Sequence, residues 1–272
     1  MPVVPLPLRT SPLHGRKEMV PEAVVRLRGE EDKARLLAAL RGRIEALERP
    51  PAARAATPLG FGLVEIDAAL PGGGLGPAAL HELRGEAPAL GLAALLAGRR
   101  LAQGAAGPVL WCARRAGLYP PGLRAFGLEP GRLVLARAGD PRQLLWAIEE
   151  GLASGRTALV VGEVGRLDLR TSRRLQLAAE SGATPALLLP GAGATAGANA
   201  AASRWQVESA PSGPTAGYRG VGLSRFRLRL TRCRGGRSGA WLVEWDDATH
   251  TFTMAAALGD GPALPQARRA RG

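Results

Sequence analysis

The sequence predicts an α/β protein built around a mostly parallel sheet. Short, continuous apolar segments alternate with helix-forming segments between residues 61 and 189, a pattern typical of parallel strands covered by helices on both faces. After residue 204, three strand-like segments follow one another without a helix, so the end of the sheet should be antiparallel or mixed. The chain has 272 residues, 46% of them hydrophobic, and is therefore long enough to bury one full core.

The elements of this core are predicted in alternation along the chain. Strands are expected at residues 79–83, 109–112, 133–136, 158–161 and 186–189, and helices at 90–103, 120–126, 141–154 and 169–181. The closing strand-like segments are RWQVESA, RFRLRLTRC and AWLVEWDD. Four tryptophans lie within these patterns and are predicted to pack in the core: Trp146, Trp205, Trp241 and Trp245.

Composition divides the chain into five segments. They are a Pro-rich leader (1–20), an N-terminal helix (21–48), a linker (49–58), the core (59–256) and a flexible basic tail (257–272). Apolar residues recur in the N-terminal helix at spacings of three and four, which predicts an amphipathic helix. They include Leu36, Leu40, Ile44 and Leu47. Two hypotheses remain open: the helix caps its own core, or it docks on a neighbouring subunit.

The charge balance favours an acidic partner. The formal net charge is +13, and nucleic acid is the usual partner of so basic a chain. Nearly all of the positive charge is arginine, since Lys17 and Lys33 are the only lysines. A GC-rich genome also produces this bias, so charge alone leaves DNA binding open.

Other residue patterns argue against several classes of protein. Cys112 and Cys233 cannot build a disulfide framework, and the three histidines show no zinc-ligand spacing. No apolar segment reaches the roughly 18 residues of a membrane span, and the start of the chain lacks the apolar block of a signal peptide. We expect a cytoplasmic protein without membrane segment, metal site or cofactor, and nucleoid association remains open.

The segment HELRGEAPALGLAALLAGRR, which begins at His81, has the general build of a phosphate-binding loop. An apolar strand leads into a turn predicted from Gly85 to Gly91, and a helix follows. A P-loop has the form GxxxxGK[ST], but here the glycines are one residue further apart and are followed by Leu92 and Ala93. Because no lysine follows Lys33, the segment is predicted to be a strand-to-helix turn that holds an anion weakly at most.

The order of these segments resembles a known family. FGLVEIDAALPGGGLGPAALHELRGEAPALGLAAL is similar to the opening of the RecA core, and the likeness extends over about residues 61–252. Four segments closely resemble the ImuA family, the RecA-like proteins of bacterial mutagenic translesion synthesis. These segments are PGGGL, WCARRAGLYPPGLRAFGL, SRRLQLAAESGATPALLL and RLTRCRGGRSGAWLVEWDDATHTF. The resemblance implies a RecA-like core with a mostly parallel sheet.

By the same resemblance, the nucleotide site is degenerate. RecA-like ATPases use Lys and Thr for phosphate and metal, a Glu to activate water, an Asp at the end of the Walker B strand, and a Gln sensor. This chain has Leu92 and Ala93, Arg114 (or Arg115 one residue on), Gly162 (or Glu163 if the register shifts) and Pro190–Gly191 at those places. Phosphoryl transfer depends on such charges, so we expect no catalytic residues and no ATP hydrolysis.

Candidate DNA contacts lie in the last third of the chain. Residues 190–205 occupy the position of RecA's second DNA-binding loop, although Arg204 is the only charged residue there. Arg225, Arg227 and Arg229 alternate with apolar residues, which places a row of guanidiniums on one face of a strand. We expect weak, salt-sensitive DNA binding, with a plain surface loop as the alternative for residues 190–205.

The resemblance implies an adaptor that binds ImuB, a Y-family-like protein, in the DNA-damage (SOS) response. ImuB would in turn bring an error-prone DNA polymerase III alpha-type subunit. RecA, DNA and a second copy of this chain are further candidate partners. Two alternatives remain: a divergent DNA-dependent ATPase of the RecA class, and a SulA-like inhibitor of cell division, although such inhibitors are shorter and lack the N-terminal helix.

Overall fold

A computed structural model of the chain describes residues 56–115, 117–191, 197–212 and 222–255. The leader (1–20), the N-terminal helix (21–48), most of the linker and the basic tail (257–272) lie outside the described residues. The predictions made for these segments, including the docking residues Leu36, Leu40, Ile44 and Leu47, therefore stay predictions.

The described residues form alternating helices and strands, followed by strands alone. The helices are α1 (Val64–Asp67), α2 (Glu86–Ala102), α3 (Pro141–Ala153) and α4 (Leu169–Gly182). The strands are β1 (Leu80–Arg84), β2 (Val109–Ala113), β3 (Leu133–Arg137), β4 (Leu159–Val164), β5 (Ala186–Pro190), β6 (Ser203–Ala210), β7 (Ser224–Cys233), β8 (Gly239–Asp246) and β9 (Thr251–Met254). Two 3₁₀ segments, Pro120–Phe126 and Pro130–Arg132, lie between β2 and β3.

All nine strands join one sheet in the order β3-β2-β4-β5-β1-β6-β7-β8-β9. Strands β1 to β5 are parallel, and β6 pairs in parallel with β1. The remaining pairs, β6–β7, β7–β8 and β8–β9, are antiparallel. The predicted fold class is confirmed, including the change from parallel to antiparallel pairing after residue 204.

The core has two layers, one on each face of the sheet. Helix α2 covers one face, where its fully buried Leu92, Leu95 and Leu96 belong to a cluster that extends to Trp205 on β6 and Val243 on β8. Helices α3 and α4 form the smaller cluster on the other face. Each fully buried leucine contributes about 1.5–3 kcal/mol, so α2 is a main source of stability.

Two predictions about helices were wrong. Helix α2 begins at Glu86 rather than at residue 90, and it includes Pro88 because a proline ring is tolerated in the first turn. Trp146 was predicted to pack in the core, but its side chain is 62% exposed. It lies on α3 about 200° around the helix from the buried Leu144, since successive residues are about 100° apart.

A buried polar network joins β1 to β6. The Trp205 indole N–H donates to Ser203 Oγ over 3.0 Å, and Ser203 Oγ lies 2.8 Å from His81 Nδ1. His81 Nε2 lies 3.1 Å from the Gly76 carbonyl oxygen, which can only accept, so Nε2 donates, and in the neutral imidazole Nδ1 then accepts from the hydroxyl. This arrangement requires neutral His81. Burial lowers its pKa from 6.5 to about 4, although the hydrogen bond to Gly76 acts in the opposite direction.

We predict that the protein loses stability as the pH falls from 6.5 toward 4. Between these values the unfolded chain protonates His81 and the folded chain does not, so acid favours unfolding. The pKa difference corresponds to about 3 kcal/mol over the whole interval. Urea unfolding at pH 6.5, 5.5 and 5.0 measures the slope.

His81→Gln should flatten this pH dependence while lowering the stability at pH 7. The matched control is His250→Gln, which removes an exposed imidazole and should keep the wild-type slope. An unchanged slope in His81→Gln would show that the network is not the source of the pH dependence.

Candidate functional site

The carboxyl ends of the parallel strands are where α/β proteins usually bind ligands. Here β1 passes into α2 through one residue, Gly85, which has φ of 137° and is the N-cap of the helix. A Cβ at this position would lie 1.8 Å from the Val207 carbonyl oxygen on β6. Glu86 follows with φ of 48°, a value that non-glycine residues rarely adopt. The junction is therefore an abrupt corner, and only glycine fits it.

The turn predicted from Gly85 to Gly91 does not form a loop. Gly91, Leu92 and Ala93 all belong to α2, and Leu92 and Ala93 are fully buried in the core. The Phe226 ring lies 3.7 Å from where a Cβ of Gly91 would be. The residues that the resemblance assigns to the P-loop Lys and Thr positions thus face a packed interior.

The residues that the resemblance assigns to the Walker B and catalytic Glu positions lie in β4 and just beyond the end of β2. Gly162 is buried in β4, and a Cβ there would lie 2.5 Å from Ile148 Cδ1 on α3, so an aspartate would not fit without repacking. Glu163 accepts a 2.8 Å hydrogen bond from the Trp111 indole N–H. Arg114 lies just beyond the end of β2 with its side chain in solvent.

A buried ion cluster lies on the opposite face of the sheet from α2. The Glu82 carboxylate accepts hydrogen bonds from Asn199 Nδ2 at 2.7 Å and from Arg204 Nε at 2.9 Å, and it also pairs with Arg84. Burial alone would raise the pKa of Glu82, but the bonds from Asn199 and Arg204 outweigh it and hold the pKa below its usual value. Glu82 was not among the residues predicted from the sequence, although a carboxylate inside the strand LHELR was a signal.

This cluster makes Arg204 less available as a DNA contact. Its Nε is bound to Glu82, and its Nη2 donates to the Gly197 carbonyl at 2.8 Å. The guanidinium therefore joins β1 and β6 to the segment before β6 and offers little surface to a phosphate. Residues 192–196 of the proposed DNA loop lie outside the described residues.

Arg225, Arg227 and Arg229 share one face of β7, as the alternation predicts. Their environments differ. The Arg225 side chain is 8% exposed and forms an ion pair with Glu244 on β8, while its Nη1 has no hydrogen-bond partner in the described part of the chain. Arg227 and Arg229 are exposed, opposite Glu208 and Gln206 on β6. Of the three arginines, only the latter two are open to a phosphate from solvent.

Neither a metal cluster nor a membrane-spanning helix occurs among the described residues. No group of three or more His, Cys, Asp or Glu side chains in that part of the chain has an arrangement that could hold a metal ion. None of the described helices is both long and apolar enough to cross a membrane.

The strand order defines the class of protein: a RecA-like core, in which β1 passes directly into α2. Among solved structures, the RadB recombinase aligns with 73% of this chain and 100% of its own, with a TM-score of 0.50 and 16% identity, which supports the fold alone. SulA from Pseudomonas aeruginosa aligns with 42% of this chain and 98% of its own at 30% identity, with a TM-score of 0.37.

Protein ImuA of Caulobacter vibrioides (strain NA1000 / CB15N) is 37% identical to this chain over 228 residues. The alignment covers 76% of this chain and 93% of the Caulobacter protein, and protein ImuA of strain ATCC 19089 / CIP 103742 / CB 15 gives the same values. No protein-family model matches the sequence. The chain belongs to the ImuA family.

We predict that the double variant Arg227→Ser with Arg229→Ser binds DNA more weakly than the wild type. Its affinity should also depend less on the salt concentration. Removal of one phosphate interaction should reduce the slope of log affinity against log salt by roughly 0.7–0.9. Fluorescence anisotropy with a labelled single-stranded oligonucleotide at several salt concentrations measures the slope. Arg225 is left intact, because its removal would leave Glu244 without its ion-pair partner.

The control for this pair is Arg137→Ser with Arg156→Ser, which removes two exposed guanidiniums at other places on the surface. If both double variants reduce the slope equally, binding follows net charge alone. If neither changes it, the face of β7 takes no part in DNA binding.

Proposed function

We propose that the protein is a non-catalytic RecA-like adaptor of mutagenic translesion synthesis. It binds ImuB and thereby helps to bring an error-prone DNA polymerase III alpha-type subunit to damaged DNA. Membership of the ImuA family supports the process. The burial of Leu92 and Ala93 in the core is the observation that most supports the absence of catalysis.

Catalysis is disfavoured on physical as well as compositional grounds. To bind a nucleoside triphosphate, a protein needs a cation and a loop of backbone N–H groups around the phosphates. Here a single residue, Gly85, connects β1 to α2. Restoring a lysine at Leu92 would not restore the site, because that side chain points into a close-packed interior where an unpaired charge is costly. The fold then serves as a scaffold for binding partners.

An adaptor acts through its surfaces. The N-terminal helix is the docking element that we propose for ImuB, through Leu36, Leu40, Ile44 and Leu47. The linker that follows it contains prolines and small residues, which suits a helix that reaches a neighbour. RecA and a second copy of this chain are other partners that the same helix could take.

We predict that the purified protein neither binds ATP–Mg²⁺ tightly nor hydrolyses it, with or without single-stranded DNA. Phosphate release and equilibrium dialysis with labelled ATP are the measurements. A parallel preparation of Glu163→Gln serves as the blank, because Glu163 lies next to the predicted Walker B position, Gly162. DNA-stimulated turnover well above this blank would make the protein a divergent ATPase.

For ImuB, we predict that Leu40→Glu with Leu47→Glu abolishes capture in a pull-down between the purified proteins. Each buried leucine is worth about 1.5–3 kcal/mol, so losing two reduces affinity by at least about a hundredfold. The thermal midpoint should not change if the helix docks on a partner.

The control is Ala34→Glu with Ala38→Glu, which adds the same two charges on the opposite face of the predicted helix and should bind ImuB normally. A midpoint that drops in the leucine variant while ImuB binding per folded molecule persists would identify the helix as an intramolecular cap.

A further inference from the structure

The positive charge of the chain is concentrated in one segment. Between Glu208 and Glu244 the sequence has seven arginines and no Asp, Glu or Lys. This short segment therefore carries more than half of the net charge of +13. In the described part of the chain it includes β7, most of β8 and the turn that joins them. A basic segment of this kind indicates a partner with many negative charges.

Four of these arginines lie around the turn from β7 to β8, and we name them the arginine hairpin. They are Arg229, Arg232, Arg234 and Arg237, and all four are exposed. None of them forms an ion pair within the described part of the chain. Their positive charges are therefore available to a partner from solvent.

A β-bulge places Arg232 on the same face of the sheet as the other arginines of β7. On β6, the neighbours Arg204 and Trp205 pair with Arg232 and Leu230. Thr231 is therefore an extra residue in β7, and its hydroxyl donates to the Arg204 carbonyl at 3.1 Å. Without this residue, strict alternation would place Arg232 on the opposite face. The bulge thus extends the row of guanidiniums to the end of the strand.

The arginine hairpin is held against the rest of the fold. The Arg237 backbone N–H donates to the Ala69 carbonyl at 3.0 Å, and a Cβ on Gly236 would lie 2.6 Å from the same oxygen. Arg232 Nη1 donates to the Asn199 carbonyl at 3.1 Å. A carbonyl carries no net charge, so this bond orients the guanidinium and leaves its charge uncompensated. Groups that are already ordered lose little conformational freedom on binding, which favours affinity.

The carboxylates of the neighbouring strands lie away from the turn. Arg229 is paired with Gln206 on β6 and Ala240 on β8, which are both uncharged. Glu208 and Glu244 lie further along these strands, where Glu244 forms an ion pair with Arg225. Asp246 and Asp247 lie at the end of β8 that is furthest from the turn.

The element that contacts the turn brings two further carboxylates. The backbone of Ala69, which bonds to Arg237, follows α1, and α1 carries Glu65 and Asp67. Asp67 already accepts hydrogen bonds at 2.7 and 2.9 Å from two backbone N–H groups of its own segment. Glu65 is exposed. Even with both carboxylates counted, the four guanidiniums leave the arginine hairpin positive.

The side chains around the arginine hairpin decide which kind of polyanion fits. A protein partner needs apolar anchors, but none of the large apolar residues that are exposed in the described part of the chain lies on β6, β7 or β8. Single-stranded DNA is held largely by stacking of its bases on aromatic side chains. Trp205 and Phe226 are buried and belong to the core under α2. What this surface offers is guanidiniums, which bind phosphate oxygens in a bidentate manner.

We propose that the arginine hairpin binds the phosphate backbone of duplex DNA without sequence preference. Duplex DNA carries one negative charge for about every 1.7 Å of its helix axis, so it offers several phosphates to a small basic surface. Arg229 and Arg232 are roughly 10 Å apart along β7, which allows contacts with more than one phosphate. The proposal does not depend on the binding of ImuB. It differs from the contact predicted on β7 because it assigns the turn and the double-stranded form of DNA.

The test uses the full chain and two labelled DNA probes. The probes are a fluorescein-labelled duplex of about 20 base pairs, roughly two helical turns, and its single strand. Fluorescence anisotropy at several salt concentrations should show tighter binding of the duplex. Arg234→Gln with Arg237→Gln should weaken duplex binding by at least about tenfold at low salt and should reduce the slope of log affinity against log salt by roughly 1.8. Circular dichroism and the thermal midpoint should stay at wild-type values, because both side chains are exposed.

Matched controls separate the arginine hairpin from general charge and from folding. Arg137→Gln with Arg156→Gln removes two exposed guanidiniums elsewhere and should bind the duplex nearly as the wild type does. Arg234→Lys with Arg237→Lys should keep the wild-type slope, because a lysine also neutralises a phosphate. Duplexes of A·T pairs alone and of G·C pairs alone should bind with similar affinity.

Several results would overturn the proposal. These are equal affinity for the duplex and the single strand, equal losses in the Arg137 and Arg156 control, equal losses in the glutamine and lysine variants, or no binding at all. Displacement of the duplex by polyglutamate of equal total charge would assign the surface to acidic proteins instead. The glutamine variant should still capture ImuB, and Leu40→Glu with Leu47→Glu should still bind the duplex, so failure of this proposal and failure of the proposed adaptor function are distinguishable.

Discussion

The close approach between Gly85 and the Val207 carbonyl oxygen is the constraint on which the rest of the structure depends. Because no side chain separates the end of β1 from β6, α2 can begin at Glu86 and lie directly on the sheet. That position buries Leu92, Leu95 and Leu96 and brings the antiparallel strands into the same core. A longer loop between β1 and α2 would displace the start of the helix from this packing.

The same corner differs from a phosphate-binding loop in the space that it leaves above the sheet. In a P-loop, backbone amides and a lysine surround a phosphate, and the loop needs space above the sheet. Here the beginning of α2 lies in that region, with the Phe226 ring beside Gly91. The same residues cannot both form an open phosphate loop and belong to the first turns of α2. In this chain they belong to α2 and contribute to the core.

Among the described residues, some arginines form ion pairs within the sheet and others are exposed on the surface. On β1, the Glu82 carboxylate pairs with both Arg84 and Arg204, and on β7 the guanidinium of Arg225 is compensated by Glu244. The arginines of α3 and α4 are exposed. The net charge of +13 is therefore not carried by one basic surface. Some of the arginines form internal ion pairs between strands, and others are exposed and available to partners.

The sequence by itself determined the strands and helices, the change from parallel to antiparallel pairing, and the shared face of Arg225, Arg227 and Arg229. These properties follow from local periodicity, which alternates by two in strands and by about 3.6 in helices. The sequence also predicts that Leu92 and Ala93 replace the P-loop groups, and this assignment stays a prediction. Residues 86–89 were wrongly predicted to be a turn, since Gly and Pro are typical of a loop as well as of a helix start.

Only the tertiary structure decided which of these residues are available to partners. Glu82 and Arg204 are 122 positions apart, and Arg225 and Glu244 are 19 apart on different strands, so their pairing depends on strand order and register. The exposure of Trp146 depends on which face of α3 meets the sheet. Local sequence patterns specify the direction of a side chain, but its neighbours across the fold decide whether it is buried, paired or available.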